Sequence, residues 1–198
     1  MWYIIRHGQT LENRLNIQQG QTESLLTLKG IIQAQSIGYR LLEQDENFSD
    51  YTFVSSPLAR ARHTLQIIME ILSVSNEKQA VVEQLLINRN KGILQGVDKN
   101  KIKELFSEEF KKRESNQWTY KAPNGGESKE ESYLRVKKFI EKYKNQKNLI
   151  IVGHRNINWM IQEILKGSSM NEIKNNSNKK EKSQNYFYCW NGEKITKI

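Results

Sequence analysis

Four short, almost wholly apolar runs punctuate the chain: WYII (Trp2 to Ile5), YTFV (Tyr51 to Val54), NLIIV (Asn148 to Val152) and YFYCW (Tyr186 to Trp190). Runs without polar alternation suit strands buried on both faces, and such strands need helices to cover them. Helical spacing fills the intervals. Leu28, Ile31, Ile32, Leu41 and Leu42 form one stripe, Ala61, Leu65, Ile68 and Leu72 a second, Tyr133, Val136, Ile140 and Tyr143 a third, and Ile157, Met160, Ile161, Ile164 and Leu165 a fourth. The alternation predicts an α/β fold with a largely parallel sheet, and 198 residues suit a single domain over 1–198.

Local signals refine this outline. Thr27 is a candidate N-cap for the first long helix, which Gly30 and Gly38 weaken. Pro57 in SSP suits a first helical position, where the missing N–H costs nothing. Ala80 to Ile87 is a further apolar run. Asp98 to Arg113 reads as one charged helix with Ile102, Leu105, Phe106 and Phe110 as its apolar stripe, and Ala122 to Ser128 as a Pro/Gly loop. Asn171 to Gln184 is polar enough for a surface loop, and YFYCW closes the domain as a last strand.

Composition excludes several classes. A single cysteine, Cys189, forms no internal disulfide and offers no thiolate cluster. No apolar run approaches the roughly 18 residues of a spanning helix, and MWYII stops at Arg6, too soon for a signal sequence; a cytoplasmic protein without a membrane partner is expected. Lys and Arg outnumber Asp and Glu by 31 to 22, a net charge of +9. However, 22 Lys, 19 Asn and 21 Ile all carry A/T-rich codons, so nucleotide bias accounts for most of the excess without a nucleic-acid partner.

Chemistry gathers at strand ends. His7 follows WYII after one Arg, and His154 follows NLIIV after one Gly. In an open parallel sheet, ligands bind outside the carboxyl ends of the strands, so central parallel strands would bring both imidazoles to one crevice. Arg6 adjoins His7, and Arg60 lies in SSPLARARHT after the second strand, near an expected helix N-terminus that would add backbone donors. Two guanidiniums with two imidazoles make a phosphate pocket. Arg62 and His63 read as helix-surface residues, and no carboxylate cluster implies a metal.

RHGQTLEN (Arg6 to Asn13), LLTLKGIIQA (Leu25 to Ala34), SSPLARARHT (Ser55 to Thr64), GGES (Gly125 to Ser128) and IIVGHR (Ile150 to Arg155) together resemble, in order, the motifs of the histidine phosphatase superfamily. That family includes the cofactor-dependent phosphoglycerate mutases. The resemblance implies a three-layer α/β/α sandwich with a mostly parallel central sheet, and His7 as the nucleophile that forms phosphohistidine. It further implies Arg6, Arg60 and His154 around the equatorial phosphoryl oxygens, with Thr10 and Asn13 donating to the phosphate rim. Glu127 would order an arginine or histidine, or form a structural salt bridge.

Two positions depart from the family pattern. Asn88 in INRNKGILQG stands where the mutases carry the acid that protonates the leaving group, and an amide cannot do so. Arg155 replaces the small glycine that usually follows the second histidine. Glu23, Glu83, Asp98 or Glu127 would substitute for the acid, or the substrate would carry a good leaving group, or catalysis would be weakened. The resemblance therefore implies hydrolysis of a small phosphomonoester without metal or cofactor. A second implication is phosphoglycerate mutase activity primed by 2,3-bisphosphoglycerate, favoured by Lys99, at the place of a substrate-contacting lysine; against it, only Arg113 approaches the mutases' paired arginines. The third is a phospholigand-binding module.

Overall fold

The strands form where the apolar runs predict them, and the central strand is apolar on both faces because helices cover both. A computed structural model describes residues 1–74, 78–176 and 186–198. In chain order the elements are β1 (Trp2–Arg6), α1 (Leu11–Arg14), α2 (Leu28–Leu42), β2 (Thr52–Ser55), α3 (Ala59–Ile71), β3 (Val81–Val82), α4 (Ile102–Leu105), α5 (Ser107–Ser115), α6 (Lys129–Tyr143), β4 (Leu149–Gly153), α7 (Arg155–Leu165), α8 (Met170–Asn176), β5 (Phe187–Trp190) and β6 (Ile195–Lys197). One six-stranded sheet has the order β3-β2-β4-β1-β5-β6. The first four strands in that order run parallel, and β5 and β6 join antiparallel, so the sheet is mixed but mostly parallel.

Alternate strand residues divide between two cores, as the period of two requires. Tyr3, Ile5, Phe53, Ile150 and Val152 meet Ile37 and Leu41 of α2 and Ala61, Leu65 and Ile68 of α3. Trp2, Ile4, Val54, Leu149 and Ile151 meet Val136 and Phe139 of α6 and Ile157, Met160 and Ile161 of α7 on the other face. The expected layered α/β architecture is therefore present. Register then places the chemistry: Arg6 lies opposite Gly153 and Ser55 opposite Val152. The residues that follow, His7, His154 and Ser56, leave the sheet side by side.

Several local expectations are corrected. Thr27 caps α2 as predicted, its hydroxyl accepting from Gly30 N–H. The two glycines that weaken this helix are packing sites: a Cβ on Gly30 would stand 2.1 Å from Gln9 O, and one on Gly38 3.0 Å from Ile71 Cβ. Pro57 precedes the helix, because α3 starts at Ala59, whose N–H is bound by the Glu23 carboxylate at 3.0 Å. The expected helix over 98–113 is broken at Phe106 (φ −134°, ψ 53°) into α4 and α5. Within the polar stretch from Asn171, residues to Asn176 belong to α8, anchored by fully buried Ile173; residues 177–184 lie outside the described residues. YFYCW gives β5, yet β6 follows it as the edge strand.

Candidate active site

His7 sits immediately beyond β1, held by its N–H to Gly153 O at 3.0 Å. Its Nδ1 lies 2.8 Å from Gly8 O. A carbonyl only accepts, so Nδ1 carries the proton and Nε2 bears the lone pair. The His154 ring stands edge-on to His7 with centroids 5.2 Å apart, and its Nε2 is 2.8 Å from Ser56 Oγ. Register thus assembles the two imidazoles that the sequence pairs, and it adds Ser56, which sequence reasoning missed although it follows β2 as the histidines follow β1 and β4.

The arginines converge as expected, by a different route for Arg60. At the start of its helix, Glu23 already occupies Ala59 N–H. Instead the fully buried Arg60 side chain is clamped by neutral carbonyls, Nη1 to Thr22 O and Nη2 to Gly20 O, both at 2.7 Å. Neutral acceptors satisfy hydrogen bonds without cancelling charge, so the guanidinium remains a net cation. Burial pushes Arg60 and Arg6 down to about 10, both still charged near neutral pH. His7 is held well below the usual histidine range by burial first and then by Arg6 and Arg60. His154 is likewise lowered by burial, then by His7, Arg60, Arg6 and Arg135. Two neutral imidazoles inside a cationic shell suit a dianion, whose arrival would raise both pKa values again.

Thr10, at the end of the loop after His7, and Asn13, within α1, form a reciprocal cap: Asn13 N–H donates to Thr10 Oγ1 at 3.2 Å and Thr10 N–H to Asn13 Oδ1 at 3.3 Å. Gln19 also donates to the Thr10 hydroxyl. Lys99 and Arg155 join the site electrostatically; burial lowers the Lys99 pKa, and Arg155 and Arg6 lower it further. Arg155, the first residue of α7, is itself lowered by burial.

Asn88 and Glu127 both make contacts within the fold. The Asn88 carbonyl oxygen Oδ1 accepts from Arg89 N–H at 2.9 Å. The structure joins the two readings of Glu127, a salt bridge that orders an arginine: both its oxygens accept from Arg135, each at 3.0 Å, and Arg135 Nη1 donates to Leu85 O. The other carboxylates near in sequence are also committed. Glu83 accepts from Lys142 at 2.6 Å and Tyr143 at 3.1 Å; burial would raise its pKa, but these donors and Leu85 N–H hold it below the usual carboxylate range. Asp98 binds Asn100 N–H, and Glu23 caps α3.

Arg89 is a candidate that sequence reasoning passed over. It is 8% exposed, its Nε is buried without a partner, and burial pushes it down to about 10, with Arg113 lowering it further and Glu127 opposing. Arg89 lines a small recess with Gln18, Lys91, Arg113 and Tyr120. Lys129, lowered to about 8 by burial and then by Arg89, lies close by. Glu127 connects the recess to the histidines, for it lines the recess and grips Arg135, whose charge reaches His154. The signal was a basic residue inside a loop otherwise read for its missing acid.

Paired imidazoles at the carboxyl ends of parallel strands, with buried arginines acting on them, define the class of α/β protein to which this chain is compared. Residues 2–188 match the histidine phosphatase superfamily, branch 1, and the chain belongs to that family. A 2,3-bisphosphoglycerate-dependent phosphoglycerate mutase of Bartonella tribocorum is 34% identical over 122 residues, which cover 62% of this chain and 58% of that protein. The chain thus spans about three fifths of the length of the first mutases it matches. The adenosylcobalamin/alpha-ribazole phosphatase of Escherichia coli is 26% identical over 160 residues, covering 78% of this chain and 73% of that one. The crystal structure of the alpha-ribazole phosphatase from Shigella flexneri shares the fold, with a TM-score of 0.79 at 22% identity over 98% of this chain and 93% of that one. Among the described residues no helix is long and apolar enough to cross a membrane.

Proposed function

We propose that this protein hydrolyses a small phosphomonoester through a phosphohistidine on His7, without a metal or cofactor. The observation that carries the reading is the Nδ1–Gly8 bond, which puts the His7 lone pair on Nε2 beside His154 and among Arg6 and Arg60. In the first step Nε2 attacks phosphorus, the P–O ester bond breaks, and the leaving oxygen departs with the bonding pair. Arg6, Arg60 and His154 hold the three equatorial oxygens as charge spreads over them. In the second step water attacks phosphorus, the P–N bond breaks, and inorganic phosphate leaves with His7 restored.

Protonation of the leaving group sets the substrate class. Asn88 cannot protonate it, and Glu23, Glu83, Asp98 and Glu127 each already accept a hydrogen bond or ion pair within the fold. The reading therefore favours leaving groups that depart as stable anions, the phenolate of an aryl phosphate or the carboxylate of a mixed anhydride. Turnover of p-nitrophenyl phosphate should persist in EDTA and disappear in His7→Ala. Full turnover in that variant would end the proposal.

Mutase activity is the second reading, favoured by the unpartnered Arg89 recess with Arg113 and by Lys99 near Arg6 and Arg155, since these suit a substrate with a second anionic group. On that reading 2,3-bisphosphoglycerate is the primer. A coupled assay that shows isomerisation stimulated by 2,3-bisphosphoglycerate would support it. Tight binding of orthovanadate without turnover would instead identify a phospholigand-binding module.

A further inference from the structure

A side chain of α2 holds the peptide that faces His7 Nδ1. Gln9 N–H donates to Gln33 Oε1 at 2.8 Å, and Gln33 lies on α2, 9% exposed. That N–H belongs to the same trans peptide as Gly8 C=O, and a planar trans peptide points its two groups in opposite directions. Fixing the N–H on Gln33 therefore aims the carbonyl at His7 Nδ1, 2.8 Å away. The preceding peptide is gripped too: Gly8 N–H donates to Thr64 Oγ1 at 3.0 Å, and the fully buried Thr64 hydroxyl donates to Arg60 O at 2.7 Å. Gln9 O accepts from Thr27 N–H at 2.9 Å, so the loop is stitched to the start of α2 as well.

We propose that Gln33 is a positioning residue that sets the tautomer of His7 by orienting the Gly8–Gln9 peptide. An imidazole with no acceptor at Nδ1 distributes its proton over both nitrogens, and the form with the proton on Nε2 has no lone pair there to attack phosphorus. Thr64 holds the other side of Gly8 and Thr27 holds Gln9 O, so loss of Gln33 removes the bond to the one N–H that shares a peptide with the tautomer-setting carbonyl while these two contacts remain. The resulting prediction differs from loss of packing: binding of phosphate to the arginines stays, while the reactive fraction of His7 falls. The rate consequence rests on His7 acting as the nucleophile, whereas the tautomer consequence does not.

The test uses 15N-histidine NMR on the full chain in wild type, Gln33→Met and Gln33→Glu. Methionine keeps the unbranched shape and removes the amide acceptor, whereas glutamate keeps an oxygen in place. Wild type should show a protonated Nδ1 and an unprotonated Nε2 for His7, Gln33→Met a mixture or the reverse, and Gln33→Glu the wild-type pattern. With p-nitrophenyl phosphate, kcat should fall by about tenfold or more in Gln33→Met at little-changed KM, and recover in Gln33→Glu. A wild-type His7 protonated on Nε2 would overturn the proposal without any variant. So would a folded Gln33→Met protein with an unchanged tautomer. A shifted tautomer in a protein without phosphoryl transfer supports the positioning role and removes only the catalytic reading.

Discussion

Arg60 and Arg89 are both buried guanidiniums, yet their surroundings give them different work. Backbone carbonyls hold Arg60 in one orientation, which on the proposed reading preorganises it for the phosphoryl oxygens. Arg89 has no such carbonyl clamp and lies beside Arg113 and Glu127 in its recess. Asn88, the residue between the apolar run and Arg89, marks the chemical cost of this site, since its amide turns back to Arg89 N–H. Asn88→Glu should therefore raise turnover of alkyl phosphates by about 10²- to 10⁴-fold, the ordinary contribution of a general acid, while changing p-nitrophenyl phosphate turnover little. A leaving-group series measured on both proteins checks this. Equal gains across the series, or none at all, would show that leaving-group protonation is not the missing step.

At the scale of elements, the His7 loop and the start of α2 fit together only because both carry glycine. A Cβ on Gly8 would lie 2.3 Å from Gly30 O, and one on Gly30 2.1 Å from Gln9 O, with backbone rather than flexible side chain as the obstacle. Gly30→Ala should cost about 1–3 kcal/mol by overpacking and should also lower kcat, because it pushes on the loop that holds His7; urea unfolding and steady-state kinetics on the same preparation test the pair of effects. From sequence, Gly30 registers only as a weak helix residue, because propensity reports the isolated helix and not what packs against it. The buried strands and long helices were legible because their apolar periodicity is the cause of their burial, and the two histidines were legible because a parallel register places strand ends together. The break at Phe106 was not: Ile102, Phe106 and Phe110 keep one apolar face toward the same small core on either side of it, so the pattern continues where the backbone does not. Nor were Gln33, Thr64 and Arg135 legible as site residues, since each acts through a backbone group or ion pair made by a segment distant in sequence.

For the whole molecule, the excess of +9 divides between a lysine-rich remainder and a few cations: Arg6 and Arg60 act on both imidazoles, and Arg155 and Lys99 couple to Arg6. That convergence has a cost in acid. His7 and His154 are lowered well below 6.5 by burial first and neighbouring charge second. Between the folded values and the unfolded value near 6.5, the unfolded chain binds protons that the native one does not, so stability rises with pH through that window. It is fully present above about pH 6.5 and declines below, by up to about 1.4 kcal/mol per pH unit for each histidine. Urea unfolding between about pH 7 and pH 5 should show this slope in wild type and lose most of it in the His7→Asn, His154→Asn double variant; identical slopes would show that the two imidazoles do not titrate as their burial requires. The central claim, that His7 accepts the phosphoryl group, is tested most directly by rapid-quench labelling with a 32P-phosphomonoester followed by peptide mapping. An acid-labile, base-stable label on the peptide containing His7, absent in His7→Ala, is the expected result, and a label on another residue or turnover with none on His7 would contradict it.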